Sequence, residues 1–174
     1  PKVPNQHSFI VEQVEKVKAS MRMPNGKYPK VTLVTNRLSS EEMNRLHAVS
    51  DCFVLPHASE GWGMPHMEAM WHGNPVITTG YSGNMDFMNN ENSFLVDYGL
   101  KPVTNMHNYG VPWFDATMWW ADPHVHDIAE RMRYAYKNRD EARGIAMQGR
   151  EHIINNFNFS SSSAQFMSAV EDLV

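Results

Sequence analysis

The sequence predicts an α/β fold in which a parallel sheet is covered by helices on both faces. Three observations carry that prediction. Short apolar or β-branched runs at residues 31–35, 52–55, 76–79 and 94–96 alternate with stretches of helical period. The run Cys52-Phe53-Val54-Leu55 is continuously apolar, as expected of a parallel strand covered on both sides. The composition, 42% hydrophobic and 20% charged, is that of a globular chain, and 174 residues suffice for one well-cored domain spanning 1–174.

The elements follow in order. Ile10, Val14, Val17 and Met21 recur at helical spacing after Ser8, a candidate N-cap, and Pro24-Asn25-Gly26 ends that helix. Val31-Thr32-Leu33-Val34-Thr35 is short and β-branched and reads as a strand. Ser39 and Glu42 have capping-box spacing, opening a helix expected to bury Met43, Leu46 and Val49. After the strand at 52–55 and the loop 56–63, a helix spans about 64–72, with Pro65 in its first turn and Gly73 past its end. Val76-Ile77-Thr78-Thr79 and Phe94-Leu95-Val96 complete the strands. Residues 98–121 show no period but carry Trp113, Phe114, Trp119 and Trp120, which suits a segment that is packed over the domain or functional. Helices follow from Asp122-Pro123, from about Asp140, and from about Ser162 to Leu173.

Bulk properties narrow the function. The net charge is −4 with no Lys/Arg block, which disfavours nucleic acid and anionic membrane surfaces as partners. Cys52 is the only cysteine, so no internal disulfide forms, and its apolar setting reads as a buried thiol. No apolar run approaches the ~20 residues needed to span a bilayer. A cytoplasmic location is expected, with peripheral membrane attachment of a longer protein left open. Nine histidines invite a metal reading. Neither His57, His66 and His72 nor His124 and His126 give a His-x-x-x-His pair with a third ligand, so surface or supporting histidines are the expectation. Met64, Met67 and Met70 are expected to fill core space.

In a parallel sheet, ligands bind beyond the carboxyl ends of the strands, here the loops after Leu55 and Thr79. The first of these runs Glu60-Gly61-Trp62-Gly63-Met64-Pro65-His66-Met67-Glu68. Glycines ahead of a helix let a ligand approach the main chain, and the helix start offers N–H groups suited to phosphate or sugar oxygens. Glu60 and Glu68 supply carboxylates that accept hydroxyl hydrogen bonds, matching a ribose diol or neighbouring sugar hydroxyls. Ser82, Gly83 and Asn84 lie in the second loop; donor contact and a turn with a helix cap explain them equally well.

These residues resemble glycosyltransferase family four, in the run 50–56, in Glu60-Gly61-Trp62-Gly63-Met64-Pro65, in Glu68-Ala69-Met70 and in Gly73-Asn74-Pro75-Val76-Ile77. The Glu60 to Glu68 spacing is that family's Glu-x7-Glu signature. Leu46-His47, Ser82-Gly83-Asn84, residues 92–96 and Trp120-Ala121-Asp122-Pro123 continue the likeness. The resemblance implies the Rossmann-like C-terminal, donor-binding domain of a GT-B retaining glycosyltransferase. It implies that Glu68 binds the ribose hydroxyls of a nucleotide-diphosphate sugar, and that Glu60 lies beside the transferred sugar as the catalytic carboxylate. Gly61, Trp62, Gly63 and Met64 would contact sugar and phosphate through their main chain, with no metal or other cofactor.

The resemblance also implies an incomplete domain. The family's first strands, its Arg/Lys diphosphate clamp and the N-terminal domain that binds a carbohydrate, lipid or other hydroxyl acceptor have no counterpart in this sequence. The chain alone is therefore expected not to transfer sugar, and self-association is one way to cover its strand edges. The alternatives are a non-catalytic nucleotide or sugar-binding module and a nucleotide-sugar epimerase of the same architecture.

Overall fold

The computed structural model describes residues 6–21, 23, 26–104 and 117–171. The chain divides into two compact units, Pro1–Glu41 and Glu42–Val174. The first contains helix α1 (Gln6–Met21) and an extended stretch without strand structure. The helix begins two residues before Ser8, and its apolar residues Ile10, Val17 and Met21 stay exposed. The expected strand at 31–35 does not form, and Val31 and Val34 are half or more exposed. β-branched residues favour a pleated surface only where a neighbouring strand supplies ladder bonds and cover.

The second unit is built on a three-stranded parallel sheet of β1 (Phe53–Leu55), β2 (Val76–Thr79) and β3 (Phe94–Val96), in the order β1-β2-β3. Phe53 pairs with Val76, Leu55 with Thr78, and Thr79 with Val96. This register decides the two faces. On one, Phe53, Val76 and Leu95 meet Met67, Ala69 and Met70 of α3 (Met64–Trp71) and Ile153 of α5 (Arg139–Asn156). On the other, Val54, Ile77, Phe94 and Val96 meet Ile128 and Ala135 of α4 (Val125–Lys137) and Ala142 of α5. All four β2 residues are buried, whereas the three of β1 are only partly covered. The full burial expected for residues 52–55 therefore holds for the central strand and not for β1, whose second edge pairs with no described strand.

Helix α2 (Ser40–Val49) also departs from expectation. Leu46 and Val49 are exposed, and its buried residue is His47. Helix α3 ends on a Schellman motif: Gly73 N–H donates to the Met70 carbonyl and Asn74 N–H to the Ala69 carbonyl. Gly73 has a φ of +75°, the left-handed conformation that this motif needs. Helix α5 buries the stripe Ala142, Ala146, Gly149 and Ile153. A Cβ on Gly149 would lie 2.7 Å from the Asn92 carbonyl oxygen, so a small residue there lets α5 lie against the turn before β3.

The aperiodic stretch after β3 contains a hairpin that sequence alone did not reveal. Strands β4 (Tyr98–Pro102) and β5 (Trp119–Pro123) pair antiparallel, with Leu100 opposite Ala121. Strand β5 thus occupies the place expected for the start of the Asp122-Pro123 helix, which instead begins at Val125. Trp119 is exposed and Trp120 partly covered; Trp113 and Phe114 lie outside the described residues. Helix α6 (Phe159–Glu171) follows and buries no residue. Among the described residues no helix is long and apolar enough to cross a membrane.

Candidate functional site

The loops that follow β1 and β2 are joined to each other at the carboxyl end of the sheet. The Glu60 N–H donates to Ser82 Oγ at 2.7 Å, and the Gly83 N–H donates to the Glu60 carbonyl at 3.1 Å. A Cβ on Gly83 would sit 2.2 Å from the Gly61 carbonyl oxygen, so that position admits only glycine without moving the main chain. Ser82 has φ 71° and ψ −151°, a region left almost entirely to glycine. That conformation costs roughly 1–3 kcal/mol, which the surrounding bonds must offset. The hydroxyl of Ser82 makes no cap bond to the 3-10 turn Gly83–Asp86; it serves Glu60 instead.

Gly63, the N-cap of α3, is left-handed with φ +95°. The His66 and Met67 N–H groups both donate to its carbonyl, and Pro65 has no N–H. Gly63 and Met64 therefore remain as the donors at the helix tip. Gly61 faces open space and Met64 is exposed, so Met64 does not fill the core as expected; Met67 and Met70 do. Trp62 turns inward, its ring 5.4 Å from Phe87 and 5.8 Å from Phe157. Asn84 is fully buried and its Nδ2 donates to the Thr79 carbonyl. Among the predicted residues, the structure thus joins Glu60, Gly61, Ser82 and Gly83 directly, with Gly63 and Met64 on the adjoining helix tip. Asn84 holds the base of the second loop.

Under these loops lies a polar cluster that sequence reasoning did not find. Thr78 Oγ1 is 2.8 Å from His66 Nε2 and 3.1 Å from His57 Nδ1. His57 Nε2 is 3.0 Å from the Tyr81 carbonyl, so in the neutral ring that nitrogen carries the hydrogen. The one hydrogen of the Thr78 hydroxyl has two acceptors in reach, the Leu55 carbonyl at 3.0 Å and the bare His57 Nδ1, while the Thr78 oxygen accepts from His66 Nε2–H. The Thr79 hydroxyl donates to the His57 carbonyl and accepts from the His57 N–H. Both histidines are buried rather than on the surface. Burial, and next the His57 ring, hold the His66 pKa below its ordinary value, against weaker raising by the Leu55 carbonyl and Glu60. A signal for the cluster existed: period-two alternation puts Thr78 on the face of Val76, the face α3 covers.

Glu68 is half exposed on α3, and its Oε2 lies 4.0 Å from His47 Nε2. Burial pushes the Cys52 thiol up to about 11, with Asp51 adding to it, so this cysteine is no nucleophile at neutral pH. Among the described residues no three His, Cys, Asp or Glu side chains are grouped to hold a metal ion.

The fold has solved counterparts. The C-terminal domain of a glycosyl transferase group 1 family protein, LpcC from Francisella tularensis, superposes with a TM-score of 0.57 at 18% identity, over 90% of this chain and 66% of that one. Anabaena HepE, solved with UDP and glucose, gives 0.57 at 16% identity over 96% of this chain and 38% of its own. The chain therefore spans just under two thirds of the first and well under half of the second. No match was found among curated proteins. The family described as glycosyl transferases group 1 matches residues 4–152, most of the chain. With the parallel α/β unit and the joined loops at its carboxyl end, the chain belongs to the glycosyl transferases group 1 family.

Proposed function

We propose that this chain is the donor-binding part of a retaining glycosyltransferase that moves a sugar from a nucleotide-diphosphate sugar to an acceptor hydroxyl. The observation that carries the reading is the Glu60–Ser82–Gly83 junction. It fastens the main chain around Glu60 and Gly61 to the second loop, beside the α3 tip, where an open parallel sheet takes its ligands. A relative solved with UDP and glucose supports this donor class.

In this reading Glu68 accepts the ribose hydroxyls, and Glu60 holds hydroxyls of the transferred sugar and offsets positive charge developing at the anomeric carbon. The Gly63 and Met64 N–H groups and the positive end of α3 receive oxygen atoms of the donor. No metal enters this scheme; helix-end donors stabilise the departing diphosphate. The acceptor binds to a separate domain, and the 174 residues alone do not complete the reaction.

Titration of UDP-, GDP- and ADP-sugars into the intact protein tests the reading. One donor should bind, and Glu68→Ala should weaken it about tenfold or more, roughly 1.4 kcal/mol. Equal binding by wild type and variant across all donors would remove Glu68 from the site. Turnover abolished by a chelator and restored by a divalent ion would refute the metal-free scheme.

A further inference from the structure

His47 is 4% exposed, and its Nε2 has no hydrogen-bond partner among the described residues. A buried imidazole nitrogen without a partner is costly, and nearly all such groups in folded proteins find one. The ring has no freedom to seek one itself. It stacks on His72 at 5.5 Å and 12°, and tilts against Phe53 at 5.6 Å. Its own carbonyl accepts from Asn74 Nδ2 at 3.0 Å and from the Ser50 N–H at 3.2 Å, which fixes the end of α2. Glu68 Oε2 lies 4.0 Å away on a half-exposed side chain. A shift of about 1 Å by that carboxylate brings it to ordinary hydrogen-bond distance.

We propose that His47 is a positioning residue for Glu68, its clamped Nε2–H turning the carboxylate so that one oxygen is held and both accept a vicinal cis-diol, such as the 2′,3′-diol of a ribose. This rests on the assignment of Glu68 to the donor's ribose. A neutral donor suits the task, because it orients the carboxylate without cancelling the charge that draws the diol hydroxyls. The surroundings keep the ring neutral: burial, and then the adjacent His72, lower the His47 pKa, and Glu68 raises it less. His72 is held in turn by Asn44, 3.4 Å from its Nε2. A diol-bound Glu68 thus sits on a relay from α2 that reads sugar hydroxyls and makes no contact with them.

The experiment compares UDP, GDP and ADP with their 2′,3′-dideoxy analogues by calorimetry on the intact protein. Wild type is expected to favour the ribonucleotide of its preferred base at least tenfold. His47→Phe keeps the stacking ring and removes the donor; the preference should fall at least fivefold while dideoxynucleotide affinity stays constant. His47→Gln, which retains an N–H, should restore part of it. Should His47→Phe not fold, long-range proton–nitrogen spectra of the wild type decide, since the His47 Nε2 signal should move with ribonucleotide and not with the dideoxy form. A wild type that discriminates while His47→Phe keeps the full preference, or an unmoved Nε2 signal, overturns the role of His47 alone. No discrimination by the wild type overturns it together with the ribose assignment.

Discussion

Helices α1 and α3 both carry apolar residues at helical spacing, yet only α3 buries them. In α3, Ala69 and Met70 are almost completely enclosed and Met67 packs beside them. In α1, Val17 and Met21 are more than half exposed, and with Val14, Tyr28, Pro29 and Val31 they line an open apolar groove within their own unit. The difference is one of partners. Helix α3 lies over β1 and β2 and is stopped by a Schellman motif, whereas α1 runs beside an extended stretch that makes no sheet. Amphipathic spacing says which face wants burial; a second apolar surface decides whether burial occurs.

Four perturbations would break or sharpen that contrast. The largest effect is expected from Gly83→Ala. Its Cβ would overlap the Gly61 carbonyl, so unfolding free energy should drop by about 3 kcal/mol, the upper end of overpacking costs, and donor binding should vanish. A variant as stable as wild type by urea unfolding would show that the two loops are not locked together.

Thr78→Val comes next. It preserves shape but leaves His66 Nε2 and His57 Nδ1 without their shared partner, a loss of about 1–3 kcal/mol for an orphaned buried group. A urea midpoint unchanged from wild type would mean that the cluster contributes nothing to the fold.

The third concerns pH. His47 and His66 both have folded pKa values below the ordinary histidine value of about 6.5, so the unfolded chain binds protons more readily. Their contribution to stability is complete above pH ~6.5 and is lost as pH falls from there through the lowered folded values. Each group contributes a slope of at most about 1.4 kcal/mol per pH unit. Unfolding midpoints at pH 7.5 and 5.5 should therefore differ, and the His47→Phe/His66→Phe double variant should flatten the profile. The same slope in that variant would assign the effect to other groups.

Val17→Gln, on the uncovered face of α1, should change stability by no more than about 0.5 kcal/mol. A loss several times larger would reveal that this groove is filled in solution.

Much of the fold was legible because strong local signals agreed with their surroundings. The span 76–79 became β2 without adjustment, and Gly73 ended α3 where the only left-handed residue near its end could. Glu60, Gly61, Gly63 and Ser82-Gly83 were singled out as candidates from the rule that loops beyond parallel strands hold ligands, and the structure joins the two loops at Glu60, Ser82 and Gly83. Where local preference had no partner the reading failed. Residues 31–35 have β-branched side chains and no ladder to join. Conversely Tyr98-Gly99-Leu100-Lys101-Pro102 has weak strand preference and pairs because β5 lies opposite it. The bonding of His57 and His66, named as surface or supporting residues, was not legible for a related reason: the partners of a titratable ring come from other elements.

Sequence by itself fixed the identity of the strands around the site, the glycine-flanked start of α3 and the two glutamates eight residues apart. Those features are local, written in spacing and in the few residues that tolerate unusual backbone angles. The fold alone decided that Ser82 and Gly83 would fasten to Glu60, that Thr78 would join two histidines, and that His47 would stand behind Glu68. These contacts bridge segments from 12 to 22 or more residues apart, so they depend on strand register and helix placement, which no single stretch of chain encodes.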